Sequence, residues 1–498
     1  MSGSNVVALT SYTANTATTL GTSSQVVDMS GGVDTTLSAA TTTVGALRFN
    51  NAAARTITLN SATTTLVVNG GILVTGSVGA NASTINGGLL QGVTGRDLLI
   101  LQNNTSVGGE LQIGSTIVQN TNGGFLTKSG AGDLILSGTS SYSGINYLHE
   151  GRTTVTTDSL AGQAKNGTSS AASAVLTGID TTGLWIGQRV TGSTLGGSNY
   201  YITAINSGAN TVTLNTGVTV SAGSVTFDMS AGSSLGSGTA ANAVQIGATA
   251  TLQIGNGGTT GNLLSTQGVV NNGILSLNRT NAFTYSSITS GAGSIVQAGT
   301  GTTTLAGTHT YTGNTLVNAG TLLVNGSVAS SLTVVNNNGA LGGSGTVASI
   351  VLNLGGVVTP GNSIGTLNTN NGALVWNGQT SGTFGQMKFE LSNASNSSDL
   401  LNLGLGVFDK GTGSVFSFDF LGTGGDGFTY TLVNFGSTDF SVGDLSYTNL
   451  ASGLSGSFVQ NANTLQFVTN VIPEPSTVLL AGMGLAFVLW RGRRRVAV

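Results

Sequence analysis

The sequence predicts an all-β chain: a right-handed parallel β-helix or β-solenoid with a small β insertion, a C-terminal β module and one short C-terminal apolar helix. Three observations predict it. Glycine makes up 79 of 498 residues, and Val, Ile and Leu stand singly between Thr, Ser and Gly, the composition of short strands joined by tight turns. A unit at residues 124–155, GFLTKSGAGDLILSGTSSYSGINYLHEGRTTV, recurs at 293–324 as GSIVQAGTGTTTLAGTHTYTGNTLVNAGTLLV. No segment before residue 476 has a helical period.

The two copies align without a gap. Gly130, Gly132, Leu136, Gly138, Tyr142, Gly144 and Gly151 match Gly299, Gly301, Leu305, Gly307, Tyr311, Gly313 and Gly320. Apolar residues alternate with Thr or Ser between the glycines, so each copy reads as about three short strands. Such a unit cannot bury its apolar face alone, and stacking it on neighbouring coils solves that problem.

Taken in order, residues 1–43 form an N-terminal β or low-complexity segment. Residues 44–177 are solenoid and include the first copy; Asn69-Gly70-Gly71 marks a turn within them. Residues 178–230, with Trp185, Tyr200 and Tyr201, read as a compact β insertion. Solenoid resumes over 231–370 with the second copy. From 371 to 470 Phe, Trp and Asp become commoner, as in MKFELSN and SVFSFDFLG, which suggests a more globular β module. Residues 471–498 are a distinct tail.

Composition excludes several functions. Charged residues are 6% of the chain, against roughly 25% in an ordinary soluble domain. There is no cysteine, hence no disulfide, thiol nucleophile or thiolate metal site. The net charge is −3 with four of the 14 basic residues in the tail, so the body is acidic, has no basic stripe and is not expected to bind nucleic acid. His149 and His309 fall at different repeat positions, matching Asn318 and Ser140, and are expected to face solvent. Glu150 beside Arg152 and Asp409 beside Lys410 read as surface charges. The glycine-aspartate run at 421–428, LGTGGDGF, resembles calcium-binding turns of β-rolls but occurs once, so a plain turn is expected. Trp185, Tyr200 and Tyr201 are expected to fill the core of the insertion rather than form a sugar-stacking face. No catalytic, metal-binding or cofactor-binding residue is expected, and no cofactor.

At these residues a resemblance appears. The units at 124–155 and 293–324 resemble the autotransporter-associated β-strand repeat, with its Thr-Lys-x-Gly-x-Gly, Tyr-x-Gly and Gly-Thr-Leu elements. The second copy departs at Gln297, where the first has Lys128. GGVVTPGNSIGTL, residues 355–367, resembles the segment that follows such repeats in exported bacterial β-helix proteins. A membrane β-barrel is not expected, since only about 110 residues lie between Asn362 and the tail, enough for no more than a minimal barrel at roughly ten residues per strand, and the chain ends in a basic cluster.

The tail reads VIPEPSTVLLAGMGLAFVLWRGRRRVAV and resembles the PEP-CTERM sorting signal. Pro473, Glu474 and Pro475 form the sorting motif, an apolar helix is predicted over 478–490, and Arg491, Arg493, Arg494 and Arg495 form a cytoplasmic basic stop. As a helix, 478–490 spans about 20 Å at 1.5 Å per residue, short of the roughly 30 Å of a bilayer core. The arginines would stay inside by the positive-inside rule, and the prolines would keep the approach extended. The plainer reading is a C-terminal core helix with a solvated basic end, for which an all-β body has little use.

The resemblance implies export and transient anchoring in the inner membrane through 478–490. It further implies processing near the sorting motif by an exosortase-type membrane protease or transpeptidase. Delivery to the cell surface, outer envelope or extracellular matrix of a Gram-negative bacterium would follow. Exopolysaccharide is the implied matrix partner, in a biofilm setting. No export signal is visible in residues 1–47, which lack both a basic and an apolar region. The start is then misplaced or truncated, or the signal has been removed. A structural, non-enzymatic solenoid is the reading this supports. An adhesin for cells or glycans is the alternative, and a β-helix polysaccharide lyase or hydrolase a third, which would need a charged cluster on one face.

Overall fold

The computed structural model describes residues 12–118, 126–140, 142–158, 163–169, 173–191, 200–217, 223–229, 235–236, 243–380, 386–394 and 397–472. These are almost entirely strand and turn, with two single-turn 3-10 helices, Gly76–Val78 and Val442–Asp444. The expected apolar helix over 478–490 lies outside the described residues, as do Pro473, Glu474, Pro475 and the four tail arginines. Among the described residues no helix is long and apolar enough to cross a membrane. The chain divides into two compact units, Met1–Leu341 with Gly345–Ser349, and Gly342–Ser344 with Ile350–Val498.

In the first unit the chain lays down one short strand per side and then returns to pair, in parallel, with the strand one coil earlier. Coils of roughly 20 to 28 residues put Val27 beside Leu47, Ile72, Ile100, Lys128, Leu148, Ile246 and Asn271 on one side, here called face A. Face B aligns Ile57, Ile85, Ile113, Leu136, Val155, Ile254, Leu277, Gln297, Val317 and Val335. A third side is formed early by Thr41–Val44, Thr65–Val68, Leu89–Gly92 and Thr116–Ile117, and after the insertion by Phe283–Tyr285, Thr302–Leu305 and Gly320–Val324. Every residue in the two rows is buried. The alternation seen in sequence is therefore inward and outward orientation on a pleated strand, and each inward Val, Ile or Leu contributes about 1.5–3 kcal/mol.

The insertion is a closed antiparallel barrel of six strands, from Gln163–Ser169 to Gly223–Met229. Its core is Leu176, Ile179, Val190, Tyr200, Ile202, Val212 and Leu214. Strands Asn146–Val155 and Val244–Gly258, which flank it in sequence, pair directly with each other. The barrel is thus an excursion that leaves the coil ladder continuous. It takes in Gln163–Ser169, which carries too few apolar residues to announce a strand, and Val175–Thr177.

The second unit is also coiled. Ile350 stands in parallel register with Leu374 and Phe408. Met387 pairs with Phe418, and Leu367 with Leu401. Only the end is antiparallel, where Thr464–Val471 pairs with Thr429–Asn434 and Leu454–Gln460. The aromatic residues that become commoner from 371 fill the interior of this second unit. Trp376 is fully buried, donates its indole N–H to Gln386 Oε1 at 2.9 Å, and is ringed by Phe408, Phe416, Phe418 and Phe440. Asp399 accepts the Gly365 N–H at 3.0 Å and the Glu390 N–H at 2.8 Å, and so pins the 355–367 segment.

Trp376→Ala should lower the stability of the second unit by about 3–5 kcal/mol. Denaturant unfolding of the full chain, followed by near-UV circular dichroism, measures this.

Candidate functional site

Stacked strands satisfy their own backbone, but the bends between them do not. Long polar side chains turned inward meet that need. Lys128, fully buried, donates from Nζ to the carbonyls of Gly130 at 2.5 Å, Gly132 at 2.6 Å and Glu150 at 2.5 Å. An ammonium has three N–H donors, and here each finds one carbonyl. Burial pushes the Lys128 pKa down to about 8, opposed by the charges of Asp133 and Glu150, so the group remains protonated at neutral pH. Gln297, its counterpart in the second repeat, donates to the Gly299 carbonyl at 2.8 Å and the Gly301 carbonyl at 3.4 Å. The departure noted in sequence therefore keeps the same lock with a neutral donor.

The repeat tyrosines act in the same way. Tyr142 donates to Asn146 Oδ1 at 2.5 Å, and the hydroxyl of Tyr311 shares a hydrogen bond of 2.5 Å with that of Thr315. Both are buried and fix the start of the next strand. Their pKa values are raised by burial, Tyr311 to about 12.

His309 corrects the expectation of a solvent-facing position. It is buried between Tyr285 and Tyr311, and its Nδ1 accepts the Thr289 N–H at 3.2 Å. Ser140, at the same repeat position, accepts the Ile117 N–H at 3.0 Å. Both serve as acceptors for the preceding coil, a role legible only once that coil is in place. Burial lowers the His309 pKa to about 4. His149 is exposed and stacks on Tyr147.

The remaining sequence candidates are dispersed. Tyr200 lies in the barrel core, whereas Trp185 and Tyr201 are half-buried. In the 421–428 run, Asp426 accepts the Val471 N–H at 2.7 Å and holds the last strand. Among the described residues no group of three or more His, Asp or Glu is placed to hold a metal ion. Lys410 pairs with Asp444 at 2.5 Å, and Arg152 pairs with Asp133.

Arg152 and Asp133 also line a recess that sequence reasoning missed. Between faces A and B, one coil bends through residues 104–109, with Val107 at its tip 95% exposed. The next coil bends tightly through Gly130 and Gly132, and the one after turns within the single strand Asn146–Val155, at an irregularity beside Gly151. Gly130 and Gly151 have φ of 83° and 67°, and a Cβ on Gly132 would lie 2.2 Å from the Asn104 carbonyl oxygen. These glycines draw the later bends inward beneath the longer first one. The recess left is about 380 Å3, and Glu110, Asp133, Arg152, Thr154 and Asn256 are among its lining.

Comparison with known proteins finds matches to the repeats, to the tail and to parts of two curated relatives. The chain carries two passenger-associated-transport repeats, at 126–157 and 295–324, and a PEP-CTERM protein-sorting motif at 471–495. It is 35% identical over 318 residues to the "Adhesin BmaC autotransporter" of Brucella suis biovar 1 (strain 1330), covering 55% of this chain and 9% of that protein. It is 45% identical over 83 residues to the "Extracellular serine protease" of Serratia marcescens, covering 17% and 8%. The chain thus spans less than a tenth of either relative. A superposition on the Haemophilus influenzae Hap adhesin covers 90% of this chain and 46% of that one, with 14% identity and a TM-score of 0.30. The sorting motif and the likeness to an autotransporter adhesin support an exported surface β-solenoid of a Gram-negative bacterium.

Two outcomes test the locks. Lys128→Met should cost about 3 kcal/mol by leaving buried carbonyls unsatisfied, and Lys128→Gln less than half as much; chemical denaturation distinguishes them. For His309 the folded pKa is below the unfolded one, so its stabilising contribution is complete above pH 6.5 and is lost as pH falls toward 4. Thermal melting should show this acid-side loss in the native chain and a smaller one in His309→Gln.

Proposed function

We propose that the protein is a right-handed, non-enzymatic structural β-solenoid of the cell surface or extracellular matrix. It is sorted through its tail by an exosortase-type membrane enzyme and associated with exopolysaccharide in a biofilm. The observation that carries this reading is the pairing of a charge-poor, repeat-built solenoid with a sorting motif at 471–495. Pro473, Glu474 and Pro475 form the processing site, 478–490 the transient inner-membrane span, and Arg491, Arg493, Arg494 and Arg495 the cytoplasmic stop. The outward faces, rich in Thr, Ser and Asn, offer hydroxyls and amides along the stack, suited to hydrated polymers rather than to one small molecule.

The match to an adhesin over 55% of the chain favours a second reading, in which the same solenoid binds cells or glycans. A lyase or hydrolase finds less support. Carboxylates are few, and the protease match covers only 17% of the chain.

Replacing Pro473, Glu474 and Pro475 by alanine in the producing bacterium tests the sorting step. The native protein should appear at the surface or in the medium without its tail, as read by mass spectrometry. The variant should accumulate, tail intact, in the inner-membrane fraction. Equal surface delivery of both would contradict the reading.

A further inference from the structure

The recess between faces A and B has a composition that selects its occupant. Leu111, Leu134 and Thr153 stand in register on successive coils, so the residues before them, Glu110, Asp133 and Arg152, form one outward row. Neighbouring rungs are about 4.8 Å apart, close to the advance of one residue in an extended β-linked glycan. One Glu110 oxygen accepts from Gln112 Nε2 at 2.8 Å, and one Asp133 oxygen pairs with Arg152. Each carboxylate has a second oxygen, and the guanidinium has further N–H donors. Two acceptors in succession are therefore followed by a donor along the row, with Asn256 and the largely buried Thr154 beside it.

Charge and shape narrow the choice. Two carboxylates face one guanidinium, and the Lys128 ammonium below is enclosed by carbonyls, so a polyanion finds no free cation to neutralise it. Apolar lining is mainly Val107 and Ile135, enough for the C–H face of a pyranose but not for a bulky peptide side chain. The volume, about 380 Å3, falls within the roughly 300–1,000 Å3 of small-ligand sites.

We propose that this recess binds a short run of neutral or amine-bearing sugar residues, with Glu110, Asp133, Arg152 and Thr154 taking their hydroxyls or amines. The site faces outward on a rigid corner whose floor is set by Gly130, Gly132 and Gly151 and held by Lys128. The proposal rests on the surface reading only for where the glycan is met. Binding in solution is independent of sorting, so the two can fail separately.

Titration calorimetry of the full chain with three hexasaccharides tests it: cellohexaose (neutral), a chitosan hexamer (cationic) and an alginate hexamer (acidic). The first two should bind, and the alginate hexamer at least about tenfold more weakly; Glu110→Ala and Thr154→Val should each weaken binding about five- to tenfold, the scale of one lost hydrogen bond. Their unfolding midpoints should stay at the native value, and Thr302→Ala, on a distant outward strand, should bind as the native chain does. The proposal is overturned if folded native chain binds neither the neutral nor the cationic hexamer. It is equally overturned if alginate binds as tightly, or if the Glu110 and Thr154 variants bind undiminished.

Discussion

The bends of a coil, not its strands, are what the first unit has to solve. Each strand is satisfied on both edges by the coils above and below it, but at a corner the carbonyls turn inward, away from any ladder. Leaving them unpaired in an apolar interior would cost more than the burial of one aliphatic side chain gains. The repeat answers with a lysine or glutamine whose head reaches the carbonyls two and four residues ahead. A tyrosine ties the following strand start, and a short acceptor takes an N–H from the coil before.

This constraint explains why glycine is so frequent and charge so scarce. A corner drawn in tightly enough for Lys128 to reach three carbonyls has room for hydrogen but not Cβ at Gly132 and Gly151. The few charges are then mostly used inside or in local pairs, as with Arg279, which donates to the Gly261 carbonyl and pairs with Asp158. What remains on the surface is hydroxyl and amide, with the recess beside Arg152 as a local exception. It exists because one bend is longer than the two that follow.

Much of the architecture was legible in the sequence, and the failures share a cause. Period-2 alternation and a gapless repeat gave parallel coils, because both are local signals. The inward turn of Lys128, Gln297 and His309 was not legible, since a polar residue on a strand reads as outward until the neighbouring coil supplies its partner. The barrel's first strand was missed for lack of apolar residues in QAKNGTS. The aromatic run after 371 signalled a packed interior but not the parallel coils that enclose it, because a coil interior and a globular core call for the same side chains. The recess depends on bend lengths across three coils, which no single motif encodes.

If corner locking by inward side chains underlies the fold, it should be visible in native-state amide exchange of the full chain. The Gly132 N–H, bonded to the Gln102 carbonyl at 2.8 Å, and the Thr289 and Ile117 N–H groups, bonded to His309 and Ser140, should exchange as slowly as strand amides such as Ile100 and Leu136. Fast exchange at these three positions, with the strands protected, would contradict the account.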